Sequence, residues 1–367
     1  MKLYEHQFYL DVRSMADVRA WARSCLAEFN SRIGVDPDRV EIALGEILQN
    51  ILRHAYQGEG EVVVRVSDLV EGVGVSVLDH AAPSDSKKWV NEKELSAGGM
   101  GLPLISNSVD AFSFRPLFNG NRASVYFFPT YQDLSSKSLL WAGELLDARL
   151  AKDSFQQWAI WAEPSHEPWF VELLKRAIQL VEMHENQCQK APKYHNVDHF
   201  RDVLVTVAHL VEQPGRFSLT KHERYALILA AILHDYAHPG GIAKYCGEFE
   251  DRTIALIGEA GLTAELDSRA SDVLTMTLSL VEATSPSFDL SGCAMLQLLF
   301  NEADLAPSLI PWFGVDQARS IQLEIGDTSE VCSFHEKFIA SERVRRVAVT
   351  NFVSSWIQPK VIDINVE

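Results

Sequence analysis

Residues 231–240, AILHDYAHPG, end an apolar run with His234, Asp235 and His238. On a helix, side chains four apart share a face, so the spacing predicts that His234 and His238 point the same way with Asp235 beside them. Upstream, KYHNVDHFRDV sets His195 and His199 four apart, and downstream LFNEADLAPS carries Asp304 at the end of another apolar segment. Three helical segments therefore offer imidazole and carboxylate to one place. Zn²⁺, or a pair of ions including Mn²⁺ or Mg²⁺, takes this mixture of nitrogen and oxygen ligands.

A second group of polar residues stands near the start of the chain. In EIALGEILQNILRHAY, Glu46, Asn50 and His54 recur every four residues, close to the apolar stripe rather than opposite it. A polar line beside a core is costly unless something satisfies it. Asp79 comes next, at the end of an apolar strand, and SAGGMGLPLI then places Gly98, Gly99 and Gly101 in a turn that feeds a helix. Glycines let backbone N–H groups approach phosphate oxygens, and a helix N-terminus favours negative charge.

The elements that must hold these residues can be read from the pattern. An opening strand over residues 2–11 precedes a helix from the N-cap Ser14 to about Arg32, and Asp36-Pro37-Asp38 opens a second helix running to about Tyr56. Strands are expected at 61–69, 73–83, 110–118 and 123–129. The polar run TYQDLSSKS, 130–138, is the expected domain boundary. From Leu139 onward the chain reads as helix, broken at Pro164, Pro192, Pro214, Pro239 and Pro286.

The stretches YHNVDH, LHDYAHPG and EADL together resemble the signature of the cyclic-nucleotide phosphodiesterases within the HD superfamily of metal-dependent phosphohydrolases. The resemblance implies that His199, His234, Asp235 and Asp304 bind the tighter metal and that Asp235 bridges to a second ion. By the same likeness His195 is the general acid, His238 serves the second metal or the substrate phosphate, and Asn196 orients its surroundings. The chain departs from that family in having no histidine between His238 and His335, no glutamine-plus-phenylalanine clamp in the family's pattern, and no GYP.

EIALGEILQNILRHAY, LDHAAP, GGMGLPLI and GNRASVYFF resemble the N-box, G1 box, G2 box and closing strand of the GHKL ATPases, and among them the anti-sigma-factor serine kinases of bacterial partner-switching systems. That resemblance implies ATP and Mg²⁺ as cofactors, with Asn50 on the ion, His54 in the same pocket and Asp79 accepting the adenine amino group. Gly99 and Gly101 would belong to the lid over the phosphates, and Glu46 would be the general base toward a substrate serine. The implied partners are an antagonist protein or sigma factor, a nucleotide ligand or substrate, and a second copy in a homodimer. The fold class expected is two domains: an α/β sandwich of the Bergerat (GHKL) type at 1–132 and an all-α HD/phosphodiesterase-like domain at 139–367. Two functions are open, a kinase joined to a phosphodiester hydrolase, or a regulatory module whose degenerate helical domain binds a ligand without turnover.

Composition narrows the setting. The net charge of −17 opposes non-specific nucleic-acid binding, because phosphate backbones repel such a surface. No run approaches the ~20 apolar residues of a membrane span, and MKLYEHQFYLDVRS lacks a signal-peptide core. Five scattered cysteines without a CxxC read as reduced thiols of a cytoplasmic protein.

Overall fold

In the computed structural model the described residues are 1–29, 33–83, 101–188, 192–212, 217–347, 353 and 356. They form two compact units, Met1–Ala151 and Lys152–Glu367.

The first unit is built on an antiparallel five-stranded sheet. Its strands are β1 (Lys2–Leu10), β2 (Gly60–Asp68), β3 (Val73–Asp79), β4 (Ala111–Leu117) and β5 (Gly120–Phe127), in the order β1-β2-β3-β5-β4. Successive side chains leave a strand on opposite faces. Val62, Val64 and Val66 of β2, Val73, Val75 and Val77 of β3, and Ala123, Val125 and Phe127 of β5 therefore build one apolar face. Helices α1 (Met15–Ala27), α2 (Pro37–Asn50) and α3 (Gly101–Ser108) supply the residues that cover it, among them Val18, Leu44, Ile47, Leu48 and Ile105.

Two helix boundaries differ from expectation. Ser14 makes no side-chain cap; Asp11 Oδ1 instead accepts from the N–H groups of Arg13 at 2.8 Å and Ser14 at 2.6 Å, and α1 stops at Ala27. In α2 the Asp36 side chain caps Asp38 N with Pro37 in the first turn, as the sequence predicts. Its α geometry ends at Asn50, and Ile51–Ala55 continue as a π-helical turn in which Tyr56 N–H reaches Ile51 O at 3.1 Å.

The other face of the sheet is polar and buried. Ser76 Oγ meets Ser124 Oγ at 2.9 Å across the strands, and Asp147 accepts from Ser67 at 2.6 Å and Ser76 at 3.0 Å. Arg115 grips Glu144 through two hydrogen bonds, at 3.0 and 2.7 Å. Asp147 and Glu144 lie on α4 (Ser136–Ala151), which packs across β1, β3, β4 and β5. This corrects the boundary expected between 132 and 139. The first helix after the polar run belongs to the sheet's unit, because its acidic side chains satisfy the sheet's second face.

The second unit is helical. Its elements are α5 (Phe155–Ala162), α6 (Pro168–Gln187), α7 (Val197–Val211), α8 (Lys221–Leu233), α9 (Glu248–Glu259), α10 (Ser268–Thr284), α11 (Met295–Leu305), α12 (Pro311–Ile325), α13 (Val331–Ile339) and α14 (Glu342–Val347). Every residue of α8 from Tyr225 to Leu233 is buried, since α6, α7, α10 and α11 surround it. A helix apolar all round needs such an enclosure. Thr220 and Glu223 close its N-terminus in a capping box.

Candidate functional site

Neither histidine pair sits on one helical face. The helix α8 ends at Leu233, so His234 caps it, and a turn comes next in which His238 N–H reaches Asp235 O at 3.0 Å and Ala237 takes a left-handed φ of +57°. Likewise His195 precedes α7, whose N-cap Asn196 accepts from Asp198 N at 2.9 Å and His199 N at 3.3 Å. Asn196 thus orients the helix, as expected. The six predicted residues fall into two groups.

The first group joins His199, His234, Asp235 and Asp304 from α7, the end of α8, the turn after it and the end of α11. His199 Nε2 and His234 Nε2 are 3.1 Å apart. Asp235 Oδ2 lies 3.5 and 3.1 Å from these two nitrogens, and Asp304 Oδ1 lies 3.2 and 3.6 Å from them. Atoms about 2.0–2.2 Å from one ion at tetrahedral angles are about 3.3–3.6 Å apart, so these five separations are close to the edges of a coordination shell; His199, His234 and Asp235 form the tighter set of candidate ligands, with Asp304 beside both imidazoles. Burial alone would lower the pKa of His234, but the adjoining carboxylates of Asp235 and Asp304 push it up to about 10. His199 is raised in the same way against its burial, while Asp304 and Asp235 are held below the carboxylate range by the two imidazoles. A cation must displace those protons, so its affinity rises with pH. The Nδ1 atoms of His199 and His234 are buried without a partner among the described residues.

The second group is His195, His238 and Glu324. The imidazoles of His195 and His238 stack with centroids 3.8 Å apart. Glu324 on α12 takes His195 Nδ1 at 2.5 Å and the backbone N–H of Tyr194 at 2.9 Å, and lies 3.7 Å from His238 Nδ1. Burial and the neighbouring His195 lower His238 to about 4, and its Nδ1 accepts from Gly240 N–H at 3.1 Å. Sequence reasoning missed Glu324, which no local motif marks.

Both groups open on one cavity of about 210 Å³, whose wall includes Tyr194, Glu250, Thr284, Ser308, Phe334 and Phe338. The end of α11 is tied to the end of α10. One turn before Asp304 on α11, Asn301 Nδ2 donates to Ala283 O at 3.0 Å, and Arg343 of α14 donates to Asn301 Oδ1 at 2.7 Å and to Thr284 O at 2.6 Å. Neither residue was legible as a support.

In the first unit, Glu46 and Asn50 occupy successive turns of α2 and are half-buried, whereas His54 falls in the π turn and is exposed. The line of three expected from a regular helix is therefore broken at His54, because an i→i+5 turn rotates the residues beyond it. Asp79 ends β3 and is 2% exposed. Its Oδ1 accepts from Asn121 Nδ2 and from Ala81 N–H, both at 3.0 Å. Burial raises the Asp79 carboxyl, and these donors oppose the rise. Tyr56 links the two elements: its hydroxyl accepts from His80 N–H at 2.8 Å and donates to Glu61 O. Gly101 begins α3; Gly98 and Gly99 lie outside the described residues.

The comparisons with known proteins fall on the same two regions. No curated protein matches the chain. Residues 10–126 match the family model described as a histidine kinase-like ATPase domain, and residues 194–255 match that of the 3'5'-cyclic nucleotide phosphodiesterase. The second span contains His195, His199, His234, Asp235 and His238, while Asp304 and Glu324 join them through the fold. The chain is thus similar to a histidine kinase-like ATPase domain over part of its first unit and to a cyclic nucleotide phosphodiesterase over part of its helical second unit.

Proposed function

We propose that the chain is a bacterial signalling protein that combines an ATP-dependent serine kinase of the anti-sigma type with a metal-dependent hydrolase of a nucleotide phosphodiester. The observation that carries the hydrolase is that the carboxylates of Asp235 and Asp304 each come within 3.6 Å of both the His199 and the His234 Nε2, across three helical segments. A divalent cation held there supplies Lewis acidity to a phosphoryl group and lowers the pKa of water. His195, with Nδ1 committed to Glu324, turns Nε2 to the leaving oxygen as general acid. His238, neutral near pH 7 and accepting from Gly240 at Nδ1, presents an Nε2–H donor to the substrate phosphate.

The kinase reading rests on Glu46 and Asn50 one helical turn apart on α2, and on the buried acceptor Asp79. Asn50 would hold Mg²⁺ against the ATP phosphates, Glu46 would take the proton of a substrate serine, and Asp79 would receive the adenine amino group. Its substrate is an antagonist protein or its target a sigma factor, with the kinase acting as a homodimer. Among the described residues no helix is long and apolar enough to cross a membrane.

A binding-only reading of the second unit draws on the two unpartnered Nδ1 atoms, because ligating histidines normally donate that N–H, and its loss weakens metal binding about 10–100-fold. The deciding experiment incubates purified protein with Mn²⁺ or Zn²⁺ and a panel of cyclic mono- and dinucleotides. Turnover that disappears in Asp235→Ala supports the hydrolase; metal and ligand binding without turnover supports the regulatory module. Labelled ATP with the antagonist protein tests the kinase, and transfer that survives Glu46→Ala removes Glu46 from the role of base.

A further inference from the structure

Asp79 and Asn121 face each other as a cross-strand pair of β3 and β5, and both are 2% exposed. The first residue of β5 fixes this pairing. Gly120 has φ +134°, and a Cβ there would fall 1.7 Å from Asp79 O, so only glycine lets the turn close over the end of β3. Asn121 is the next residue, and its Nδ2 lies 3.0 Å from Asp79 Oδ1 and 3.4 Å from Ala82 O. Ala81 N–H supplies a second donor to the same oxygen at 3.0 Å.

An ionised carboxylate only accepts hydrogen bonds, whereas a protonated one also donates. An acceptor-only group selects a base that offers an exocyclic amino group and repels one that offers a carbonyl oxygen in its place. Burial works against ionisation at Asp79, and the Asn121 side chain is the largest influence opposing it.

We propose that Asn121 is the positioning residue that sets base selectivity in the first unit, by holding Asp79 as a fixed, ionised acceptor for the amino group of an adenine nucleotide. The inference rests on the reading of Asp79 as the base acceptor. Asn121 acts through Asp79 and is assigned no contact with the base. Its amide donor is the part that matters. Ala would remove it, and Asp would keep the shape while replacing the donor with a second carboxylate.

The test is competition of ATP and of GTP, each with Mg²⁺, against a fluorescent ATP analogue on the full-length protein. Thermal melting checks that each variant is folded. The wild type is expected to favour ATP over GTP at least tenfold. Asn121→Ala is expected to bring the two affinities within about threefold of each other, and Asn121→Asp to weaken ATP binding at least tenfold. A purely structural role would weaken both nucleotides together and leave their ratio unchanged, which overturns the proposal. A wild type that binds both nucleotides equally also overturns it while leaving nucleotide binding intact. A wild type that binds neither removes the reading of Asp79 itself.

Discussion

At the scale of single residues, the two groups in the helical unit make separable predictions. Glu324 touches His195 and none of the four first-group residues, so Glu324→Gln is expected to cut turnover about 10²-fold, the lower range of general-acid effects, with the ion of the first group retained. Elemental analysis beside an activity assay checks both halves. Asp79 predicts a pH effect on folding in the nucleotide-free protein. Its carboxyl is raised on folding, so the folded state binds its proton more tightly than the unfolded state, and Asp79 costs stability above the unfolded value of about 3.9. Asp79→Asn should therefore melt at a higher temperature than wild type near pH 7, and the difference should vanish as the pH falls below that value. The residues of the first group were legible, because motif residues report on chemistry wherever the chain bends. Glu324 was not: 129 residues separate it from His195, and only the packing of α12 brings it there.

At the scale of elements, the lesson concerns helix ends. A spacing of four suggested shared faces for His195 with His199 and for His234 with His238, yet in each case a helix boundary falls between the two. The resulting turns send one imidazole to each group, an outcome that periodicity alone does not encode. The same holds for His54, displaced by a π turn at the end of α2. The wall of the cavity is equally exacting. A Cβ on Gly314 of α12 would meet Ser308 O at 2.0 Å and His335 Nε2 at 2.3 Å, and His335 itself holds Ser308 O at 2.7 Å. Gly314→Ala is expected to destabilise the protein by about 1–3 kcal/mol, the usual range for overpacking, and to raise KM for any substrate of the cavity. Chemical denaturation and steady-state kinetics read the two effects.

At the scale of the whole molecule, the two-part division was legible from composition, but its position was not. The helix α4 is rich in Leu, Ala and Trp and so resembles the helices after it; what ties it to the sheet is Asp147 and Glu144, whose partners are scattered over β2, β3 and β4. A fragment ending at residue 132 would leave Arg115 and the serine row of the sheet without those partners. Breaking a buried ion pair by removing one side costs about 3–5 kcal/mol. We therefore expect residues 1–151 to unfold cooperatively and 1–132 to lack a cooperative transition, as followed by near-ultraviolet circular dichroism.

The enclosure of α8 bears on how the proposed metal site would be filled. Since the helix that delivers His234 is anchored along its whole length by its neighbours, the chain is shaped before any cation arrives, unlike small zinc modules that are unfolded when empty. Dialysis against a chelator should abolish the proposed hydrolysis while leaving the far-ultraviolet spectrum intact, and adding Zn²⁺ or Mn²⁺ back should restore it without a refolding lag. Such a protein would gain or lose its second activity with the supply of trace metal around it, and keep its architecture throughout.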